Sequence, residues 1–265
     1  MSLRSAARSA AICAALLATC ATPVFAKPAA KAHAVANHSA AAHYAAALAD
    51  PARPTAERTR DVARMPAQLL AFAQIDKGEK VGDFIMGGGY LTRILAAAVG
   101  PKGHVYAFQP AEFIAFRAQY GDEQKAVDAA YANVDAVAGS APAPAFPVAL
   151  DTIVTVQNFH DLYLKQAPAG TGARAAANLF AALKRGGTLV VVDHNAPDGS
   201  GSTLSDTLHR IERKTVVDTM TAAGFRLEAE SQLWRHPADP RTTNVFDPSI
   251  RGKTDQFALR FRKPR

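Results

Sequence analysis

Two short polar runs carry the side chains best suited to chemistry. Gln157-Asn158-Phe159-His160-Asp161 follows an apolar run from Leu150 to Val156, and Asp193-His194-Asn195 closes a second one that starts at Thr188. Imidazole titrates near neutrality, so His160, with His194 as the alternative, can take a proton from an oxygen or nitrogen nucleophile. Asp161 and Asp193 can orient such a ring or balance its charge, and Asn158 can position a substrate by hydrogen bonding. Nitrogen and carboxylate donors also suit zinc or iron. Neither run has the spacing of an established metal motif, so no metal is expected. Single Asp and Asn residues commonly cap loops and helix starts. Two such runs, each at the end of an apolar segment, point to a site.

A third feature is the run Asp83-Phe84-Ile85-Met86-Gly87-Gly88-Gly89-Tyr90. Glycines are needed where a ligand approaches the backbone closely, because a Cβ would occupy that space. A helix beginning at Tyr90 adds unpaired amide donors suited to a carboxylate. Gln109 ends the next apolar run; its amide can accept and donate to a diol, without the charge assistance a carboxylate gives. Glu112, in the following turn, can supplement it. Arg210, after the Gly/Ser-rich stretch Gly199 to Ser202, is suited to an anionic substrate or to a surface ion pair with nearby acids.

These residues need elements to hold them. Lys80 to Ile85, His104 to Phe108, Asn133 to Ala138, Leu150 to Val156 and Thr188 to Asp193 read as strands. Between them, Tyr90 to Val99, Pro110 to Tyr131 (with a break expected at Gly121) and Ala173 to Leu183 read as helices. A long helix is expected from Leu204 to Ala223. Such alternation predicts a mostly parallel sheet with helices on both faces. The ending differs. Phe225 to Leu233 and Phe257 to Phe261 alternate apolar and polar residues with no crossover helix between them, which predicts an antiparallel pair. The expected fold is therefore α/β, a Rossmann-like doubly wound sheet of seven strands closed by a C-terminal antiparallel pair.

Arg4 and Arg8 precede an apolar stretch from Ala10 to Thr19, and Val24-Phe25-Ala26 follows. That is the layout of a secretory signal peptide over 1–26, too short to span a bilayer permanently. Cleavage there would place the mature chain in the periplasm or outside the cell. Both cysteines, Cys13 and Cys20, lie in this segment, so no disulfide or cysteine metal site is expected afterwards; a lipid anchor on Cys20 is the lesser alternative. Residues 27–53 are Ala-rich, with His33, His38 and His43, and read as a flexible linker to a domain over 54–265. Removing Arg4 and Arg8 takes the basic residues from 30 to 28 against 23 acidic, a net charge of +5. These charges are dispersed, which argues against a nucleic-acid partner.

Taken together, Asp61-Val-Ala-Arg64, Gly87-Gly-Gly-Tyr90-Leu-Thr92, Gln157-Asn-Phe-His-Asp161, Asp193-His194, His209-Arg210 and Gly252-Lys-Thr-Asp255 resemble an uncharacterised family of bacterial, often exported, methyltransferases predicted from sequence. The resemblance covers the whole expected domain and implies the class I methyltransferase fold. It also implies S-adenosylmethionine as cofactor, bound by Asp83, Gly87, Gly88, Gly89, Tyr90, Gln109 and Asn158. His160, Asp161 and His194 would face a small-molecule methyl acceptor. Two positions depart from the wider pattern: Ile85 stands where the first of three alternating glycines is usual, and Gln109 where a carboxylate meets the ribose hydroxyls. Two other readings use the same turn: a nicotinamide-dependent oxidoreductase, and a non-catalytic ligand-binding or scaffolding protein on the methyltransferase fold.

Overall fold

The computed structural model describes residues 41–265. The expected signal segment with its two cysteines, and residues 27–40 of the Ala-rich stretch, lie outside the described residues. Packing begins ahead of Pro54. Residues 41–48 are helical, Tyr44 and Ala47 join the core, and the Tyr44 hydroxyl donates to the Ile75 carbonyl at 3.1 Å. Arg53 is buried and paired with Asp61 at 2.7 Å. The apolar side chains that hold this segment are few but fall on one helical face. Composition alone, which suggests a tether, does not register that.

Two single helical turns, Thr55–Arg58 and Asp61–Arg64, lead to α1 (Pro66–Ala73), opened by its proline. The chain then alternates: β1 (Lys80–Phe84), α2 (Tyr90–Val99), β2 (His104–Pro110), α3 (Ala111–Phe116), α4 (Gln119–Ala130), β3 (Val134–Gly139) and β4 (Leu150–Val156). A 3-10 turn at Phe159–Tyr163 precedes α5 (Thr171–Ala182), β5 (Leu183–His194), α6 (Ser205–Leu208), α7 (Arg213–Ala222), β6 (Arg226–Ser231) and β7 (Gln256–Arg262).

The seven strands lie in the order β3-β2-β1-β4-β5-β7-β6. The first five are parallel, and β7 runs antiparallel between β5 and β6. Successive side chains of β5 feed opposite faces. Val190 and Val192 pack with Ile94, Leu95 and Leu70 on one side, Leu189 and Val191 with Leu179, Met220 and Phe225 on the other. Two cores thus clamp the sheet, and the fold is the expected doubly wound one. Among the described residues no helix is long and apolar enough to cross a membrane.

Three elements differ from expectation. The helical stretch after β2 breaks at Arg117, which is extended, and not at Gly121. Gly121 sits inside α4, where an added Cβ would lie 3.1 Å from Ile114 of α3, so the glycine serves close packing. The expected long helix from 204 to 223 is two, because His209 turns left-handed and Arg210 points inward. Arg210 is fully buried against Asp239 at 2.9 Å and also donates to the carbonyls of Asn195 and Thr243. It is neither an anion site nor a surface pair. Lastly, β5 begins at Leu183, pairing with Leu150, and runs through Gly186-Gly187, which were expected to end the preceding helix.

Candidate functional site

A cleft of about 700 Å³ opens along the carboxyl ends of β1, β4 and β5. The strand order reverses between β1 and β4, and in open α/β sheets that switch point is where ligands bind. Its volume lies within the range of small-molecule pockets.

The Gly-rich turn forms one wall. Gly87 and Gly89 have φ of 56° and 81°, conformations that cost a side-chain-bearing residue about 1–2 kcal/mol. A Cβ on Gly87 would meet nothing within 4 Å and would enter the cleft; one on Gly89 would stand 2.5 Å from Val127. The first glycine therefore leaves room for a ligand, the second for packing against α4. Gly88 also lines the cleft. Ile85, where a glycine is usual, itself takes φ of 65° and is buried. Asp83 is buried at the base of the cleft and accepts from the Thr92 hydroxyl at 2.7 Å; burial raises its carboxyl pKa to about 6, against the effect of that hydrogen bond.

Gln109 falls elsewhere than expected. It is fully buried behind the turn and does not line the cleft; its Oε1 accepts from the Gly87 amide at 3.0 Å, and its Nε2 has no partner among the described residues. It supports the turn from behind. Glu112 does line the cleft, with its oxygens on the Ser140 hydroxyl and the Ala141 amide. Tyr90 donates to Asp61 at 2.7 Å, and its ring carries the guanidinium groups of Arg60 and Arg64 at 4.7 and 5.2 Å. Both arginines line the cleft and neither has an acidic partner among the described residues. Burial, with Arg60 nearby, lowers Arg64 to about 10, which leaves it charged at neutral pH. The sequence reading assigned these arginines no role.

The opposite wall holds the polar runs. Asn158 donates to the Ile85 carbonyl at 2.7 Å, tying the β4 loop to the glycine turn. Buried Phe159 and Leu162 anchor the 3-10 turn, which brings His160 against the end of β5. Asp193 accepts from the His160 amide at 2.8 Å through one oxygen, and the other lies 2.8 Å from His160 Nδ1. His160 Nε2 is 3.2 Å from Asp161 Oδ1 and 3.3 Å from His209 Nδ1. Burial opposes charge on His160, but the two carboxylates outweigh it and raise the ring to about 10; Asp161, despite its own burial, falls to about 2 beside the histidines. Carboxylates beside both ring nitrogens thus favour the charged form of His160. His194 is held at 2.8 Å from the Thr254 hydroxyl; burial, with His160 and Arg210 near, pushes its pKa well down. The structure thus gathers His160, Asp161 and His194 into one wall and adds His209, which lies 49 residues from His160 in sequence. No local spacing joins those two. Only the sheet order does.

No family model matches the chain, and no curated protein sequence matches it. Solved structures do. A SAM-dependent methyltransferase from Aquifex aeolicus is 18% identical, with a TM-score of 0.50, over 75% of this chain and 89% of its own. A TehB-like SAM-dependent methyltransferase from Corynebacterium glutamicum is 16% identical, with a TM-score of 0.51, over 78% of this chain and 95% of its own. The cyclase SpnF is 16% identical, with a TM-score of 0.53, over 76% and 81%. At these identities the likeness is one of fold: the chain has the Rossmann-like architecture of class I methyltransferases.

Proposed function

We propose that the protein binds S-adenosylmethionine in the cleft between β1 and β4 and transfers its methyl group to a small-molecule acceptor. The observation that carries this reading is the Gly87 turn, whose backbone faces open cleft at the switch point. The groups present fit the cofactor's ends. Arg60 and Arg64, charged and without acidic partners among the described residues, suit its carboxylate, and Asp83 at the cleft base suits its ammonium. The sulfonium methyl is what the cofactor supplies; the chain's own task is to align an acceptor with it and handle charge. His160, Asp161 and His209 form the wall where that acceptor would sit, with His194 and Asn158 at its margins.

SpnF shares the fold and is a cyclase, so architecture does not select the reaction. The nicotinamide and non-catalytic readings are separated by thermal unfolding with S-adenosylmethionine, S-adenosylhomocysteine or NAD. A ligand at a hundredfold excess over its Kd stabilises the folded state by about 2.7 kcal/mol. We expect a raised Tm with both adenosyl ligands and none with NAD. A rise with NAD alone would transfer the assignment, and no rise with any would favour the non-catalytic reading.

The export signal and the resemblance to the exported family belong to the same proposal. The signal rests on Arg4, Arg8, the apolar run and Val24-Phe25-Ala26, the resemblance on the motifs from Asp61 to Asp255. S-adenosylmethionine is made in the cytoplasm, so an exported enzyme depends on cofactor reaching it. Mass spectrometry of ligand retained by protein isolated from the periplasm tests that supply.

A further inference from the structure

We infer that His160, Asp161 and His209 form a binding site for one divalent transition-metal ion of the zinc type on the acceptor wall of the cleft. The inference stands on the positions of three ligand atoms and does not depend on the methyl-transfer reading. His160 Nε2, Asp161 Oδ1 and His209 Nδ1 are separated by 3.2, 3.3 and 3.8 Å. Among the described residues this is the one group of three or more such side chains whose donor atoms converge. A triangle with those sides has a circumradius of about 2.0 Å, so a single point lies within bonding distance of all three; zinc binds histidine nitrogen at about 2.0–2.1 Å and carboxylate oxygen at about 2.0–2.2 Å.

The surroundings fit a site that holds an ion and keeps a position free. Two histidines and a carboxylate with an open fourth position is a ligand set of catalytic zinc. All three side chains line the cleft, so the open position faces the acceptor space. Metal-bound histidines are usually oriented by a carboxylate or carbonyl on the other ring nitrogen. Asp193, fully buried, stands 2.8 Å from His160 Nδ1 and directs Nε2 toward the proposed ion. The His209 ring is set by Phe246, packed edge-on with centroids 4.8 Å apart. Its left-handed backbone interrupts what would otherwise be one long helix and brings its ring to His160. An ion there would give the acceptor's oxygen or nitrogen a ligand position and favour its ionised form.

The test is metal binding itself, read without any acceptor or cofactor. Full-length protein stripped with chelator is dialysed against cobalt(II), then zinc(II), and metal content and the cobalt visible spectrum are measured. We expect one ion per chain and the intense visible bands of a four-coordinate cobalt site. His209→Ala and Asp161→Asn, both at partly exposed positions that a folded chain tolerates, should each lower affinity by roughly 100-fold or more. Asp193→Asn, which acts through His160, should lower it by roughly 10–100-fold. A combined His33→Ala, His38→Ala and His43→Ala variant controls for binding by the N-terminal histidines and should retain the ion and its spectrum. No stoichiometric binding, equal binding in the two ligand variants with native unfolding curves, or loss only in the N-terminal variant would overturn the assignment. Metal binding without adenosyl-ligand binding would sustain this site and remove the methyl-transfer reading, and the converse holds.

Discussion

At the scale of the residue, two buried charges have opposite consequences. Asp83 has its carboxyl pKa raised from 3.8 to about 6 by burial. The folded chain therefore holds that proton more tightly than the unfolded one, and ionising it costs stability. The cost is absent below about pH 4, grows as pH rises, and is complete above about pH 6. Over a shift of about two pKa units it amounts to about 3 kcal/mol. Asp83→Asn, which keeps a partner for Thr92, should stabilise the protein by that order at pH 7.5 and by nothing near pH 4, measured by denaturant unfolding at both pH values. An Asp at a cleft base that weakens the fold is understandable if it meets a cationic ligand. Arg210 behaves differently. Its side chain and that of Asp239 are both fully buried and paired, so Arg210→Ala takes the counter-charge from a buried carboxylate, leaving it on the Arg241 and Asp255 amides, and should cost about 3–5 kcal/mol. A double replacement by apolar residues should cost less than the single one; a loss under 1 kcal/mol for Arg210→Ala would contradict the buried pairing.

At the scale of the element, the Gly-rich turn divides into a packing half and a binding half. Gly89→Ala combines a left-handed backbone with a Cβ 2.5 Å from the Val127 side chain of α4, which must shift; we expect a loss of about 2–5 kcal/mol. Gly87→Ala meets no neighbour and should cost only the backbone strain, about 1–2 kcal/mol. Equal losses in the two variants would contradict this division. What was legible in the sequence follows the same line. Strands β1 to β5 and the β6–β7 pair could be read because apolar period and local turn residues set them. The breaks at Arg117 and His209 could not. The first is extended backbone between two helices that pack closely at Gly121, the second is fixed by Arg210 reaching Asp239, 29 residues away. The site was legible to the same degree. His160, Asp161 and His194 stand out at strand ends, whereas His209 and Arg64 gain meaning only through what the fold brings beside them. Gln109 was placed at a strand end correctly, but its side chain turns behind the loop to hold Gly87.

At the scale of the whole molecule, one sheet edge carries two unlike walls, glycine turn and arginines on one side and histidines and carboxylates on the other, and the proposed group transfer rests on that arrangement. The proposed export signal in the N-terminal segment has its own test. N-terminal sequencing of protein from the native envelope should begin at Lys27, and a chain beginning at Met1 in the cytosol would contradict export. The central claim, that the Gly87 wall receives an adenosyl ligand, is tested most directly by calorimetric titration of S-adenosylhomocysteine into wild type and Gly87→Ala. The account predicts one site per chain in the wild type and a loss of affinity of tenfold or more in the variant, with the variant still folded by its unfolding curve. Absence of binding to the wild type, or equal affinity in both proteins, would contradict it.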